Sequence, residues 1–548
     1  MRGSSRWLLA PGAAVLGLVL FALPAVPAWA LPQPKLPPEA TDKPSVVVRV
    51  RAVGELLKDA RAVAKLVDQE AMFDNVEPAL GQVLGAIDTT KPIGFYALIK
   101  AEPVNSIGVL MVPVKNAKDL LDVIGTVANP TEKDGLYTVN AGIPFSILFR
   151  FHGGYAYATV RNSKDAEAAL DKNKIYAPSR IFEAKDASLV SATFNLDAIP
   201  NGLKQKALDH IDEFLRNETL KHANEPSPQK ELATTIVTEV AKRAQMFIAD
   251  ALTAKIRLDF DRTKETMGAT FRLAARKDTA LANEIARNTT GQGLGEGLLS
   301  NPSAVKVAAY AVLPDALKKT LDPLVDKLLS QVVAKAEALQ NDAKDVADAL
   351  APTLKSGLLD IGFDLRGPNA DGFASMLFGI RLVDGDKLEP ALRRFIGNIG
   401  ARDRKDITFD VAKVDGVSIH RIAPKDLPKE EFRDLVGPDA KVFVAMRKNL
   451  LVVGIGSQAS TLAAMRDALK AGPKTCKVLE GEVAIRNLAK LIEKKREGTV
   501  DAAAKAFPAG TDDTIRYSVS GGETAEFRVT SSIRMILFSM LTAQLQNR

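Results

Sequence analysis

The chain carries the same order of predicted strands, hairpins and helices twice, once in residues 45–290 and again in residues 304–548. Three short matches set the register between the halves: Val109–Val112 with Leu377–Ile380, Asp134-Gly135 with Asp415-Gly416, and Phe271-Arg272 with Phe527-Arg528. The offsets between matches are unequal, which indicates loop insertions. A period of about 250 residues is far longer than a solenoid repeat, so the pattern predicts a tandem duplication of one domain.

Each half is built from two kinds of unit, a strand that runs into a helix and a hairpin that runs into a helix. Val46–Val50 has the composition of a strand, and the apolar spacing then changes to a helical period. Asn116 and Asp384 each begin an apolar helical stripe and are predicted N-caps. Strands followed by helices and antiparallel hairpins predict an α+β fold, in which each copy has a mostly antiparallel sheet with helices packed on one face.

The N-terminus has the three parts of a secretory signal peptide. Arg2 and Arg6 precede an apolar run from Trp7 to Val26, and Ala28-Trp29-Ala30 follows as a small-residue cleavage site. We expect residues 1–30 to be removed and the protein to be exported to the periplasm or the exterior. The alternative is an uncleaved membrane anchor, because the run is nearly long enough to span a bilayer. Five prolines in residues 31–44 predict an extended linker.

Composition indicates an ordinary globular protein, with 46% hydrophobic and 25% charged residues. Because Cys476 is the single cysteine, no intramolecular disulfide can form. The formal net charge of +7 falls by two, to +5, when Arg2 and Arg6 leave with the signal. Export argues against nucleic acid as a partner, and a mild positive charge favours an anionic membrane or wall surface.

The sequence predicts neither a metal site nor a cofactor. The four histidines are His152, His210, His222 and His420. His210 and His222 are twelve positions apart, about 18 Å along one helix, so they cannot share a metal from a single straight helix. The chain also lacks a His-Glu-x-x-His motif and a cysteine cluster.

One catalytic pattern competes with a non-enzymatic interpretation. Ser227-Pro228-Gln229-Lys230, together with Lys355-Ser356-Gly357, imitates two of the three motifs of penicillin-binding enzymes. In that chemistry Lys230 would take the proton of the nucleophile Ser227. Ser227 as an N-cap before Pro228 explains the same residues structurally, and the third motif is missing.

Two further features of the sequence are a glycine run, which we assign to structure, and a set of arginines, which we assign to ligand contact. The alternating glycines from Gly291 to Gly297 predict a flexible linker over residues 291–303. Arginines matched between the two halves are candidate contacts for an anionic group: Arg257 with Arg516, and Arg272 with Arg528. In the alternating strands they would lie on the polar sheet face, where the ordinary role is a solvated or carboxylate-paired arginine.

Ile107–Gly125 and Gly154–Leu170, with their counterparts in the second half, resemble duplicated exported bacterial proteins of unknown function. The resemblance implies a fold and an exported location, and it supplies no active residues. The leading hypothesis is a non-enzymatic binding or interaction scaffold of the cell envelope, whose partner is an envelope protein, a lipid or another apolar ligand. The alternative is a hydrolase of the Ser-Lys type.

Overall fold

The computed structural model describes residues 34–71, 74, 81–140, 146–161, 165–222, 228–298, 303–313, 315–336, 339–399, 404–423 and 430–546. The predicted signal peptide, Ser227 and residues 299–302 of the predicted linker lie outside these ranges. Within them the chain is α+β, and twenty strands join in one antiparallel sheet. The predicted class is therefore confirmed.

The strands of residues 45–290 in this sheet are β1 (Val46–Val50), β2 (Ile93–Leu98), β3 (Ile107–Pro113), β4 (Thr131–Lys133), β5 (Leu136–Val139), β6 (Ile147–His152), β7 (Tyr155–Val160), β8 (Val190–Asn195), β9 (Ala251–Asp261) and β10 (Thr266–Ala275). A short strand outside the sheet, β11 (Gly291–Gly293), follows. The remaining strands are β12 (Val305–Val312), β13 (Leu358–Arg366), β14 (Ser375–Arg381), β15 (Ile407–Val414), β16 (Val417–Ile422), β17 (Lys441–Arg447), β18 (Leu450–Gly456), β19 (Lys474–Cys476), β20 (Leu479–Ala484), β21 (Thr514–Ser520) and β22 (Thr524–Ser532).

Helices lie between these strands and after the last one. The α-helices up to residue 298 are α1 (Val53–Leu66), α2 (Gly81–Ala86), α3 (Ala117–Gly125), α4 (Asp165–Ala169), α5 (Pro178–Ile181), α6 (Asn201–His222), α7 (Pro228–Asp250), α8 (Ala280–Arg287) and α9 (Leu294–Leu298). Those that follow are α10 (Asp315–Lys335), α11 (Gln340–Leu354), α12 (Gly385–Asn398), α13 (Glu430–Val436), α14 (Gln458–Lys470), α15 (Ile485–Ile492), α16 (Thr499–Ala506) and α17 (Met535–Gln546).

The strand order is the same in both halves when it is followed outward from the centre of the sheet. One arm is β10-β9-β8-β1-β2-β3-β7-β6-β5-β4, and the other is β22-β21-β20-β12-β13-β14-β18-β17-β16-β15. The arms join because β10 pairs with β22, with Phe271 directly opposite Phe527. The halves thus share one continuous sheet, whereas the sequence suggested one sheet per copy.

Helices cover both faces of the sheet in the second half, so the prediction of helices on one face is wrong there. Neighbouring residues of a strand point to opposite faces. On β17, Phe443 and Ala445 pack against α14 residues including Met465, whereas Met446 packs with Ala349 of α11 on the other side. Both faces of this arm carry apolar residues, and helices bury them on each side.

The two predicted N-caps behave differently. Asn116 Oδ1 accepts from the backbone N–H of Asp119 at 2.9 Å, which confirms it as the cap of α3. Asp384 directly precedes α12, but its side chain accepts no hydrogen bond from the described backbone N–H groups of this helix. Its carboxylate instead accepts from Lys387 Nζ at 2.9 Å.

The glycine run differs from the flexible linker predicted for residues 291–303. Gly291–Gly293 forms β11 and pairs with β19, and α9 follows at once. A Cβ on Gly295 would lie 2.1 Å from the Ile361 carbonyl oxygen. Asp360 accepts from the backbone N–H groups of Leu294 and Gly295 at 2.8 and 2.9 Å. The glycines therefore permit close packing on β13, and residues 291–298 are a fixed part of the fold.

Residues 34–44 contain neither helix nor strand, yet they lie against the body of the protein. Asn201 Nδ2 donates to the Pro37 carbonyl at 2.9 Å, and Lys43 pairs with Asp197 at 2.9 Å. None of the helices in the described ranges has the length and apolar character needed to cross a bilayer.

Candidate functional site

The two faces of the sheet differ most at its centre, across β8, β9, β10, β22 and β21. On β9, Arg257 lies between Ile256 and Leu258, so the arginine and the two apolar residues point to opposite faces. We call the face that carries Arg257 the polar face and the other the apolar face. Both are partly open, because most side chains of β9, β10 and β22 are of intermediate or high exposure.

Directly paired residues on neighbouring antiparallel strands share a face, so the strand register places a row of polar side chains across the polar face. The row crosses seven strands and consists of Arg49, Ser191, Arg257, Thr270, Arg528, Ser518 and Glu480. Arginine recurs at every second strand among the first five positions. Strands lie about 4.8 Å apart, so successive arginines of the row are about 10 Å apart at their backbones.

The structure places all four arginines predicted from the sequence on this face. Each is paired with a carboxylate: Arg272 with Glu526 at 2.5 Å, Arg528 with Glu526 at 3.2 Å, Arg257 with Asp186 at 3.4 Å, and Arg516 with Asp512 at 2.6 Å. Their role in ligand contact stays a prediction.

Only one of the two predicted arginine matches agrees with the register. Arg272 and Arg528 each follow a phenylalanine of the Phe271–Phe527 pair. Arg257, in contrast, is opposite Thr270, one residue before Phe271, whereas Arg516 is opposite Thr530, three residues after Phe527. Arg257 and Arg516 therefore occupy different positions relative to the central pair.

A buried carboxylate, Asp186, holds Arg257 in the row. Asp186 accepts from the Ser188 hydroxyl at 2.6 Å and from the Ser191 hydroxyl at 2.7 Å. Burial opposes ionisation of Asp186, but these hydrogen bonds and the charge of Lys255 outweigh it and lower its pKa to about 2. Asp186 is therefore an anion at neutral pH and fixes the neighbouring cations.

The larger cavity on the polar face has a volume of about 650 Å³, which is in the usual range for a small-molecule site. Arg49 and Arg528 line it, with Thr270 between them on the floor. One wall is a network in which Arg262 reaches Asp59 and Glu55, both at 2.8 Å. Arg51 also pairs with Asp59, at 2.6 Å, so two arginines balance the two carboxylates of this wall.

Arg49 differs from the other arginines of the row. Its Nη1 donates to the Ser188 carbonyl at 3.2 Å, and it makes no ion pair with any described residue. Burial lowers the pKa of Arg49, and the nearby charges of Arg51 and Arg257 lower it further, although Asp186 opposes them. The Nε of Arg257 is also buried without a hydrogen-bond partner in the described ranges. Of these two arginines, Arg49 lines the cavity, so its positive charge is available to a ligand there.

A smaller cavity of about 250 Å³ lies on the same face, and Arg528 and Thr530 line this cavity too. Lys477 Nζ donates to Ser518 Oγ at 3.2 Å, and Ser518 is directly opposite Arg528. Glu482 is held by Lys306 at 2.8 Å and by Arg516 at 3.4 Å.

The apolar face of the same strands is incompletely covered. Ile256, Leu258 and Phe271 are 41%, 43% and 37% exposed. On one side of them Leu273 packs against Leu281 of α8. On the other side helices α15–α17 pack against the sheet residues Val483 and Ile515. The open stripe thus lies between helices of the two halves.

Other candidates from the sequence do not form a reactive site. Ser227 and the side chain of Lys230 lie outside the described residues. Ser356 Oγ donates to the Thr353 carbonyl at 2.8 Å, and Lys355 pairs with Asp326 at 2.5 Å, so both serve the end of α11. His420 is buried beside Arg393, Glu389 and Asp410. In the described ranges no group of histidine, cysteine and carboxylate side chains is arranged to hold a metal.

Comparison of the chain with protein-family models, with curated proteins and with solved structures finds no match. The site must therefore be interpreted from its own geometry.

Sequence reasoning missed Arg49 and Lys477. The signal for Arg49 was present, since it is a lone charge inside the strand Val46–Val50 and a charge in such a strand points to one defined face. Lys477 had no comparable signal, because it lies in a short connection between β19 and β20.

Proposed function

We propose that this protein is a non-enzymatic binding scaffold of a bacterial cell envelope, and that it holds an anionic ligand on the polar face at the centre of its sheet. The single observation that carries the proposal is Arg49, a partly buried guanidinium that opens into a 650 Å³ cavity and has no carboxylate partner in the described ranges. A guanidinium presents a rigid fork of donors that matches a carboxylate or a phosphate.

Neighbouring charges support the same ligand chemistry. Arg257 and Arg528 continue the row beyond Arg49, so a ligand that extends along the row approaches further guanidinium groups. All four carboxylates that line the cavity are paired with a cation: Asp59 with Arg51 and Arg262, Glu55 with Arg262, Asp259 with Arg257, and Asp261 with Lys264. An anion that approaches Arg49 therefore meets no unpaired carboxylate among the described residues that line the cavity.

The proposal is tested by calorimetric titration of the purified protein with tripolyphosphate and with digalacturonate. Arg49→Gln keeps hydrogen-bonding capacity and removes the charge, and we expect it to weaken binding about tenfold, since a charged hydrogen bond contributes roughly 1.5–3 kcal/mol. Arg161→Gln is the matched control, because Arg161 is an exposed arginine paired with Glu167 after β7. Binding of neither anion, or equal loss in both variants, would refute the proposal.

Export and gene duplication belong to the same proposal. The signal-like N-terminus supports export, and cleavage after Ala30 is checked by N-terminal sequencing of the protein recovered from its native compartment. The shared strand order and the Phe271–Phe527 pair support an origin of the two halves by duplication.

A second candidate is an apolar or lipid ligand on the apolar face, which the exposure of Ile256, Leu258 and Phe271 favours. Both cavities of the polar face are lined with charged groups and do not suit such a ligand. Organic extraction of the purified protein followed by mass spectrometry tests this candidate, and a protein that carries no lipid would exclude stable carriage.

A further inference from the structure

The two cavities of the polar face adjoin each other at Arg528 and Thr530, and we call the surface that runs through both the track. Arg528 and Thr530 belong to the lining of both. A ligand that leaves the larger cavity past Arg528 therefore enters the smaller one, where Ser518 is the next residue of the row.

Both ends of the track present a cation that has no carboxylate partner in the described part of the chain. Arg49 is at one end and donates to a backbone carbonyl. Lys477 is at the other end, and its ammonium donates to the Ser518 hydroxyl at 3.2 Å. Arg528 lies between them; its Nε is 3.2 Å from Glu526, and among the described residues its terminal nitrogens donate no hydrogen bond.

The spacing of these cations defines a length. Arg49 is on β1, Arg528 is four strands away on β22, and Lys477 contacts β21, one strand further. At about 4.8 Å per strand, the track is about 19 Å long to Arg528 and about 24 Å long to Lys477. A ligand with only one carboxylate or phosphate group cannot contact the cations at both ends of this distance.

We propose that the ligand of the polar face is a linear polyanion, a chain with repeated carboxylate or phosphate groups that lies across the strands from Arg49 past Arg528 to Lys477. This inference rests on the proposed function, since it extends the same anion site. The polymer runs perpendicular to the strands, so the strand spacing sets the distance between the charges that it contacts.

Carboxylates along the track do not oppose this arrangement. Glu482 is held by Lys306 and Arg516, and Glu480 accepts from the backbone N–H of Lys477 at 3.1 Å. Glu526 lies between Arg272 and Arg528 and neutralises part of both. The net result among the described side chains is a mixed surface with an unpaired cation at each end and the partly neutralised Arg528 between them, which favours a spaced polymer charge over a dense one.

The test compares short and long anions of two chemistries by calorimetric titration. Tripolyphosphate and long-chain polyphosphate represent the phosphate source, and digalacturonate and octagalacturonate represent the carboxylate source. We expect one long polymer to bind at least tenfold more tightly than its short counterpart. Arg49→Gln and Lys477→Gln should each reduce the affinity for the long polymer about tenfold, because each removes one charged contact.

Controls separate this inference from the proposed function. Arg161→Gln should leave binding of every probe unchanged, and equal thermal midpoints would show that the variants fold. If the long polymer binds no more tightly than the short one, or if Lys477→Gln has no more effect than Arg161→Gln, the linear polyanion is excluded while the anion site at Arg49 stands. If no anion binds, the proposed function itself fails.

Discussion

Asp186 shows how one residue controls the polar face. Its side chain is almost fully buried, and it lies 3.4 Å from Arg257 and 3.9 Å from Lys255. Asp186→Asn should leave both cations underneutralised and lower the free energy of unfolding at pH 7 by about 3 kcal/mol. Urea unfolding measures this loss, and Asp165→Asn, at the exposed start of α4, is the control.

The pH dependence of that loss follows from the direction of the pKa shift. The pKa of Asp186 falls from 3.8 to about 2 on folding, so its stabilisation is present above pH 3.8 and disappears as the pH falls through 2. The difference between wild type and Asp186→Asn should therefore shrink below pH 3.8. A difference that stays constant from pH 7 to pH 2 would contradict the assignment.

His420 gives a second prediction in a different pH range. Burial lowers its pKa below 6.5, and the charge of Arg393 lowers it further against Glu389 and Asp410. The unfolded chain then binds the proton more readily, so stability is complete above pH 6.5 and decreases as the pH falls below it. His420→Phe should flatten this decrease in chemical unfolding between pH 7.5 and 5.5. His210→Gln should not, because His210 is 82% exposed.

At the scale of elements, α9 is held by glycine. Gly295→Ala would bring a Cβ to 2.1 Å from the Ile361 carbonyl oxygen, so α9 would have to move away from β13. We expect the substitution to lower the free energy of unfolding by about 3 kcal/mol. Gly202→Ala in α6 meets no heavy atom within 4 Å and should leave stability equal or slightly higher. Thermal unfolding of the two variants decides the matter, and equal midpoints would show that α9 is loosely attached.

The same elements show what sequence can and cannot predict. Val46–Val50 is confirmed as a strand, because its β-branched composition indicates burial in a sheet directly. The glycine run carries no information about burial, since a glycine that permits close packing and a glycine that permits flexibility are identical in sequence. Asp384 failed as a cap because Lys387, one turn away, competes for its carboxylate. Of the candidate site, the alternation placed the four arginines on the polar face but overlooked Arg49.

At the scale of the whole molecule, the decisive contact is between β10 and β22. Sequence patterns predict the strands of each half, but the pairing of two edges depends on unpaired backbone groups that every edge strand offers. The register of Phe271 with Phe527 is therefore known only from the structure. The consequence is a binding face that belongs to both halves, since Arg49 and Arg257 come from one and Arg528 and Lys477 from the other.

The shared sheet predicts that the two halves unfold together. β10 pairs with β9 and β22 along most of its length, so separation of the halves would expose a full edge on each side. We expect one calorimetric transition for the wild type. Val529→Pro removes a backbone donor from β22, which pairs with both β10 and β21, and should split the transition in two or lower its midpoint strongly. Glu132→Pro, on the edge strand β4, is the matched control and should keep a single transition near the wild-type midpoint, because edge strands tolerate proline.

Two separate transitions in the wild type would show that the junction between β10 and β22 is too weak to couple the halves. The polar face would then be rigid within each half only, and the spacing between Arg257 and Arg528 would no longer be fixed by the sheet.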